Sequence, residues 1–227
     1  MAVLYQHRPK LLIWLILVVE LAATAVRARP ETLDRVVASV GDAAITESEV
    51  RHEYRLERFL DGQWPPAPPD AGALDHVRER LTYQLMLSRE ETPTPEELGE
   101  SKMAATDRVT DLHKKFSNPE DFDRALRELA MTETQVIDRL TQQELLLRMI
   151  EQRLRPAASP SEDDVASYYR DTFVPEYRKS NPNADVPPLS ALEVQMRQVL
   201  TEKRVNELLD QWIEDLKPTS RVKIHSF

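Results

Sequence analysis

Asp34–Val50 reads DRVVASVGDAAITESEV and Arg221–Phe227 reads RVKIHSF, and these two stretches decide the fold. The first is a short β-branched run over Asp34–Val40, closed by Gly41-Asp42 and followed by Ala43-Ala44-Ile45, which predicts a strand and turn or small hairpin. The second alternates Val222, Ile224 and Ser226 as a terminal strand. A lone strand leaves its backbone donors and acceptors unpaired. Two lone strands at opposite ends of the chain are therefore expected to pair with each other, with Ala43–Ile45 able to join them. Everything between them would then be held as one cooperative unit.

The interval is helical by pattern. Thr46-Glu47-Ser48-Glu49 spells a capping box, in which the hydroxyl accepts from the third amide and the carboxylate reaches back. It starts a helix expected to reach Leu60, where Asp61-Gly62 stops it. Four prolines in Gln63–Asp70 (QWPPAPPD) forbid helix there. Leu74, Val77, Leu81 and Leu85 mark a second helix over 73–91. Thr94-Pro95 opens a third, with Leu98, Ala105, Val109, Leu112 and Phe116 as its stripe. Asn118-Pro119 ends that one, and a short fourth carries Phe122, Leu126 and Leu129. A second box at Thr132-Glu133-Thr134-Gln135 opens a fifth, bearing Val136, Leu140, Leu147, Ile150 and Leu154. A sixth is expected from Ser161 to Phe173, then an irregular connector over Pro175–Pro188. A long seventh from Leu189 is expected to end near Leu216, stopped by Pro218. The expected fold class is mainly α, with a small β element made by the N- and C-terminal strands.

Composition narrows the function. The chain has 227 residues, 30 Lys+Arg against 39 Asp+Glu, four Gly and no Cys. So few glycines cannot spell a dinucleotide or Walker phosphate loop. Lack of cysteine removes disulfides, thiol nucleophiles and thiolate metal sites. The start reads as an address: Arg8 and Lys10, the apolar run Leu11–Val19 (LLIWLILVV), then LAATAVRA. A basic head, an apolar stretch and a small-residue exit form a secretory signal peptide, residues 1–28, with cleavage expected after Ala25 or Ala28. Nine apolar residues are too few to span hydrocarbon, which needs about 20, so no stable membrane insertion is expected. Removing residues 1–28 takes away Arg8, Lys10, Arg27 and Glu20, leaving 27 basic against 38 acidic residues, a net charge of −11. Such a surface repels phosphate backbones, which argues against nucleic acid as a partner. The expected location is a periplasm.

Catalytic chemistry has no visible seat. His52, His76, His113 and His225 belong to no HExxH or HxxxH pair, and there is no GxSxG elbow. Asp107 and Asp111 share a helix face but His113 points elsewhere, so no metal is expected. Pairs such as Glu96/Glu97 and Asp163/Asp164 stand in first helical turns, where capping explains them. No cofactor is expected. One aromatic cluster stands out: Tyr168, Tyr169, Phe173 and Tyr177, with Trp64 alone in its proline loop. Tyr169 and Phe173 share a helical face with Val165. This stripe either packs on the core or grips another chain, as interface aromatics do. Met86, Met103, Met131, Met149 and Met196 are expected to be scattered core filling rather than one adaptable surface.

The order of parts resembles the SurA-type periplasmic chaperones. DRVVASVGDAAITESEV is similar to their opening strand, turn and helix start. ALDHVRERLTYQLMLSREE, the break TPTPEEL and SNPEDFDRALRELAMTETQVIDRLTQQELLLRMIEQRLRP resemble their helical succession. SPSEDDVASYYRDTF looks like the segment leading to their isomerase module, and RVNELLDQWIEDLKPTSRVKIHSF like their closing helix and strand. The similarity spans 34–227, in order. It implies one chaperone domain over 29–227: an N-terminal helical part (34–155), a helix and proline-rich connector (156–188), and a closing helix and strand (189–227). In the family a parvulin-type prolyl isomerase usually sits where Val174–Leu189 stands here, far short of the roughly 50 residues a compact domain needs. No Gly or His occurs between 114 and 224. The resemblance therefore implies a chaperone module without its isomerase: an ATP-independent holdase for unfolded secreted or outer-membrane proteins. Trp64, Tyr168, Tyr169, Phe173 and Tyr177 are its candidate client contacts. Residual prolyl isomerisation and a dedicated envelope-assembly role are the alternatives.

Overall fold

Strands β1 (Val36–Val40) and β2 (Ala43–Thr46) form a hairpin in the computed structural model, which describes residues 34–227. The expected signal peptide lies outside the described residues. Gly41 takes φ +59° at the tight turn, a conformation open to glycine without steric cost. The C-terminal strand β3 (Val222–Ile224) pairs antiparallel with the other side of β1, giving a sheet of order β2-β1-β3. The first and last strands of the described residues therefore do meet, and β3 finds in β1 the partner that a lone strand requires. Ala38 faces Ile224, and the His225 amide extends the ladder by donating to the Val37 carbonyl at 2.9 Å.

The rest is mainly helical. Helices α1 (Glu47–Leu60), α2 (Ala71–Leu87), α3 (Pro95–His113), α4 (Pro119–Leu129) and α5 (Glu133–Leu154) follow in order. Thr46, Thr94 and Thr132 each close a complete capping box at the start of α1, α3 and α5. A 3-10 turn (Arg155–Ala158) leads to α6 (Glu162–Tyr168), a π turn (Tyr169–Phe173), α7 (Val174–Ser180) and the long α8 (Leu189–Ser220).

Several boundaries differ from expectation, among them the third helix, which ends at His113, short of Phe116. The second helix spans 71–87 rather than 73–91, because Asp70 caps it by accepting from the Ala73 amide at 2.7 Å. Pro175 does not begin an irregular connector. It occupies the first turn of α7, where its missing N–H costs little, and the widened turn before it replaces the usual ladder, with the Val174 amide donating to the Tyr169 carbonyl. Pro218 does not stop α8 either. One more turn follows it, in which the Thr219 hydroxyl donates to the Leu216 carbonyl at 3.0 Å, and Arg221 ends the helix at φ +49°.

Three apolar clusters hold the elements. Leu56 and Phe59 of α1 meet Val109 of α3, Phe122 and Leu129 of α4, and Val136 of α5. Val37, Ala38 and Ile45 of the sheet meet Val50 of α1 and Leu74 and Val77 of α2. At the far end of α2 and α5, Met86, Ile150 and Leu154 meet Val205, Trp212 and Ile213 of α8. Helix α8 thus carries the chain from α5 back to the sheet, and β3 closes the circuit.

Candidate functional site

The arrangement leaves a trough between α5 on one side and β2, α1 and α2 on the other. Its main cavity has a volume of about 760 Å³, with Leu81, Leu85 and Leu146 as half-exposed apolar lining. Ala43, Ala44 and Ile45 of β2 also line it. Consecutive side chains of a strand point to opposite faces. Three in a row can line one hollow only if the strand presents its edge to it. Two more hollows adjoin. One of about 420 Å³ shares Gln84, Gln143 and Leu146, and one of about 80 Å³ shares Ser88, Gln142 and Leu146.

A buried ion pair braces the trough. Glu53 of α1 is 5% exposed and receives two bonds from Arg139 of α5, Nε to Oε2 at 3.1 Å and Nη2 to Oε1 at 2.7 Å. The same Nη2 donates to Gln84 Oε1 of α2 at 2.8 Å. One guanidinium therefore ties three helices at the cavity wall, with the fork geometry that suits a carboxylate. Arg80 pairs with Glu57 close by. Burial pulls the Arg80 guanidinium below its ordinary range, Glu53 opposes that, and Arg139 adds to it. His52 also lines the cavity, and its pKa is lowered by burial first and by Arg55 second, with Glu53 pulling the other way.

None of the five aromatics singled out in the sequence lines these hollows, and the structure does not bring all five together. Trp64 packs edge-on against Phe59 at 6.0 Å, takes the Arg55 guanidinium over its ring, and donates from Nε1 to Glu128 at 2.8 Å. It locks the proline loop onto α1 and α4. Tyr169, Phe173 and Tyr177 form a separate half-buried row, with ring centroids 5.8 and 5.4 Å apart, and Tyr168 lies beside it in the chain. The Tyr169 hydroxyl donates to the Pro187 carbonyl at 3.0 Å, which folds the connector back onto the row. His113 stacks on Phe122 at 3.7 Å with Nε2 3.3 Å from Glu133, while Asp111 accepts from Lys114. Among the described residues no group of His, Asp and Glu is placed to hold a metal, and no helix is long and apolar enough to cross a membrane.

Sequence reasoning missed the site residues Glu53, Arg139 and Leu146. Glu53 did leave a signal: it stands three residues after Val50 and three before Leu56, a carboxylate inside the buried stripe of α1. No protein-family model matches the chain, and no curated protein matches it.

Proposed function

We propose that this chain is an exported, ATP-independent holdase of the SurA type, which binds unfolded segments of secreted or outer-membrane proteins in the trough between β2 and α5. The observation that carries the reading is the cavity of about 760 Å³, open to solvent, lined by three leucines and bordered by the edge of a strand. An aggregation-prone chain exposes apolar side chains and unpaired backbone together, and this trough offers a complement to both. The net charge of −11 on residues 29–227 keeps loaded copies apart in solution. The assay is light scattering of an outer-membrane β-barrel protein diluted from urea. Several-fold molar excess of the purified protein is expected to suppress aggregation without nucleotide. Leu85→Glu and Leu146→Glu should each weaken suppression about tenfold, the order expected for losing one buried leucine contact. Unchanged scattering with the native protein would refute the proposal.

A second reading rests on the aromatic row. Tyr169, Phe173 and Tyr177 stand outside the three apolar clusters, as a docking surface for one dedicated envelope partner would. A pull-down that yields one stoichiometric companion, lost in Phe173→Ala, would favour it over promiscuous client binding.

A further inference from the structure

Given a client-binding trough, on which the inference rests, we infer that β2 receives its guest as a fourth strand of the sheet. The trough would then select extended segments of another polypeptide that carry no acidic side chain. The register places the necessary groups. His225 donates to Val37 on the β3 side of β1, and residues of an antiparallel ladder alternate between their two neighbours. Val37 and Ser39 therefore turn their backbone groups to β3, while Ala38 and Val40 turn theirs to β2. Ala44 lies opposite Ser39, so its N–H and C=O point away from β1, toward the open edge. No other backbone group among the described residues takes them. The adjacent amide of Thr46 is already engaged by the Glu49 carboxylate at 2.7 Å. One complete donor–acceptor pair is thus presented at the cavity rim.

This edge lacks the devices that normally blunt one. Ala43, Ala44, Ile45 and Thr46 include no lysine, proline or other charge, and the small alanine side chains let a second backbone approach. The charge of the cavity wall fixes the class of guest. Glu53 is neutralised by Arg139, and the Glu49 carboxylate is turned back onto Thr46. Beside β2 the lining therefore offers no unpaired cation, while Glu49, held only by neutral donors, keeps its negative charge and adds to the acidic surface. A strand without acidic residues and with alternating apolar side chains fits this wall, with its backbone on Ala44 and one row of side chains toward Leu81, Leu85 and Leu146.

The test uses the purified protein and a fluorescein-labelled decapeptide of alternating serine and valine, followed by anisotropy. Two further peptides carry N-methyl groups on every second residue, one set on each edge of the strand. Methylation of one edge is expected to weaken binding about five- to tenfold, the scale of one backbone hydrogen bond, while the other set binds as well as the parent. Ala44→Pro removes only the outward N–H, which an edge strand tolerates, and should weaken the parent peptide by a similar factor. Where Ala44→Pro fails to fold, the methylated peptides on the native protein decide alone. Equal binding of all three peptides, with loss in Leu146→Glu, would overturn strand addition and leave the trough reading standing. No binding of any peptide, together with unsuppressed client aggregation, would remove both. A homodimer that Ala44→Pro dissolves would assign the edge to a second copy of this chain and overturn the inference.

Discussion

Replacing Glu53 by Gln keeps the shape of the side chain and removes its charge, leaving the Arg139 guanidinium facing a neutral amide. Breaking a buried pair costs about 3–5 kcal/mol when the surviving charge stays uncompensated. The Glu53 side chain is 7% exposed but that of Arg139 is 26% exposed, so water reaches the guanidinium, which also keeps Gln84. That places the loss lower, at about 2–3 kcal/mol. An unfolding entropy of about 2.1 cal/mol/K per residue over roughly 190 ordered residues makes this a fall in Tm of about 5–7 °C. Calorimetry and urea denaturation of the single variants, and of Glu53→Met combined with Arg139→Met, form the assay. The paired apolar replacement should return to within about 1 kcal/mol of the native protein, since it leaves no orphan charge. Single variants within about 0.5 kcal/mol of native, the range of an ordinary surface change, would refute the claim that this pair braces the trough.

Three further outcomes are expected. His52 is held below its ordinary pKa of 6.5 in the folded state, so the unfolded chain binds the proton more readily. Its contribution is whole above pH 6.5 and is lost as pH falls through the folded value; His52→Asn should flatten the stability profile on that acid side, read from urea midpoints across pH 5–8. Ala130 sits exposed at φ +58° at the end of α4, where an L side chain is strained, and Ala130→Gly should raise stability by up to about 1 kcal/mol, measured by urea denaturation. Deleting residues 222–227 removes β3, its ladder to β1 and the bond from Arg78 Nη1 to the His225 carbonyl at 3.0 Å. About 3 kcal/mol should be lost, with the amides of β1 losing protection in hydrogen exchange.

Local chemistry made the helices legible. The capping boxes at Thr46 and Thr132 and the Thr94-Pro95 start place three helix beginnings to the residue, whereas Asn118-Pro119, expected only to end a helix, caps and opens α4. Strand pairing was legible from an accounting of unsatisfied backbone groups. Pro175 and Pro218 do not break the chain where their type predicts, because the widened turn before Pro175 and the Thr219 hydroxyl bond after Pro218 accommodate them inside helical segments. The trough was hidden for a different reason. Leu81 and Leu85 have the spacing of core residues and are half-exposed only because α5 stands away from α2 there. Glu53 and Arg139 lie 86 positions apart, and no local pattern pairs them. The aromatic residues drew notice by type alone, yet Trp64 is bound into the packing of α1 and α4.

The pairing of Ala38 with Ile224 has a kinetic consequence. Its two halves lie 186 positions apart in the sequence, so the ladder cannot close until residues 222–224 have been synthesised. Contacts of such long sequence separation slow folding, because loop closure must precede the stabilisation they give. A nascent copy therefore leaves β1 open on one side until β3 emerges. Until that moment the unpaired side of β1 is a template that any other extended segment could occupy.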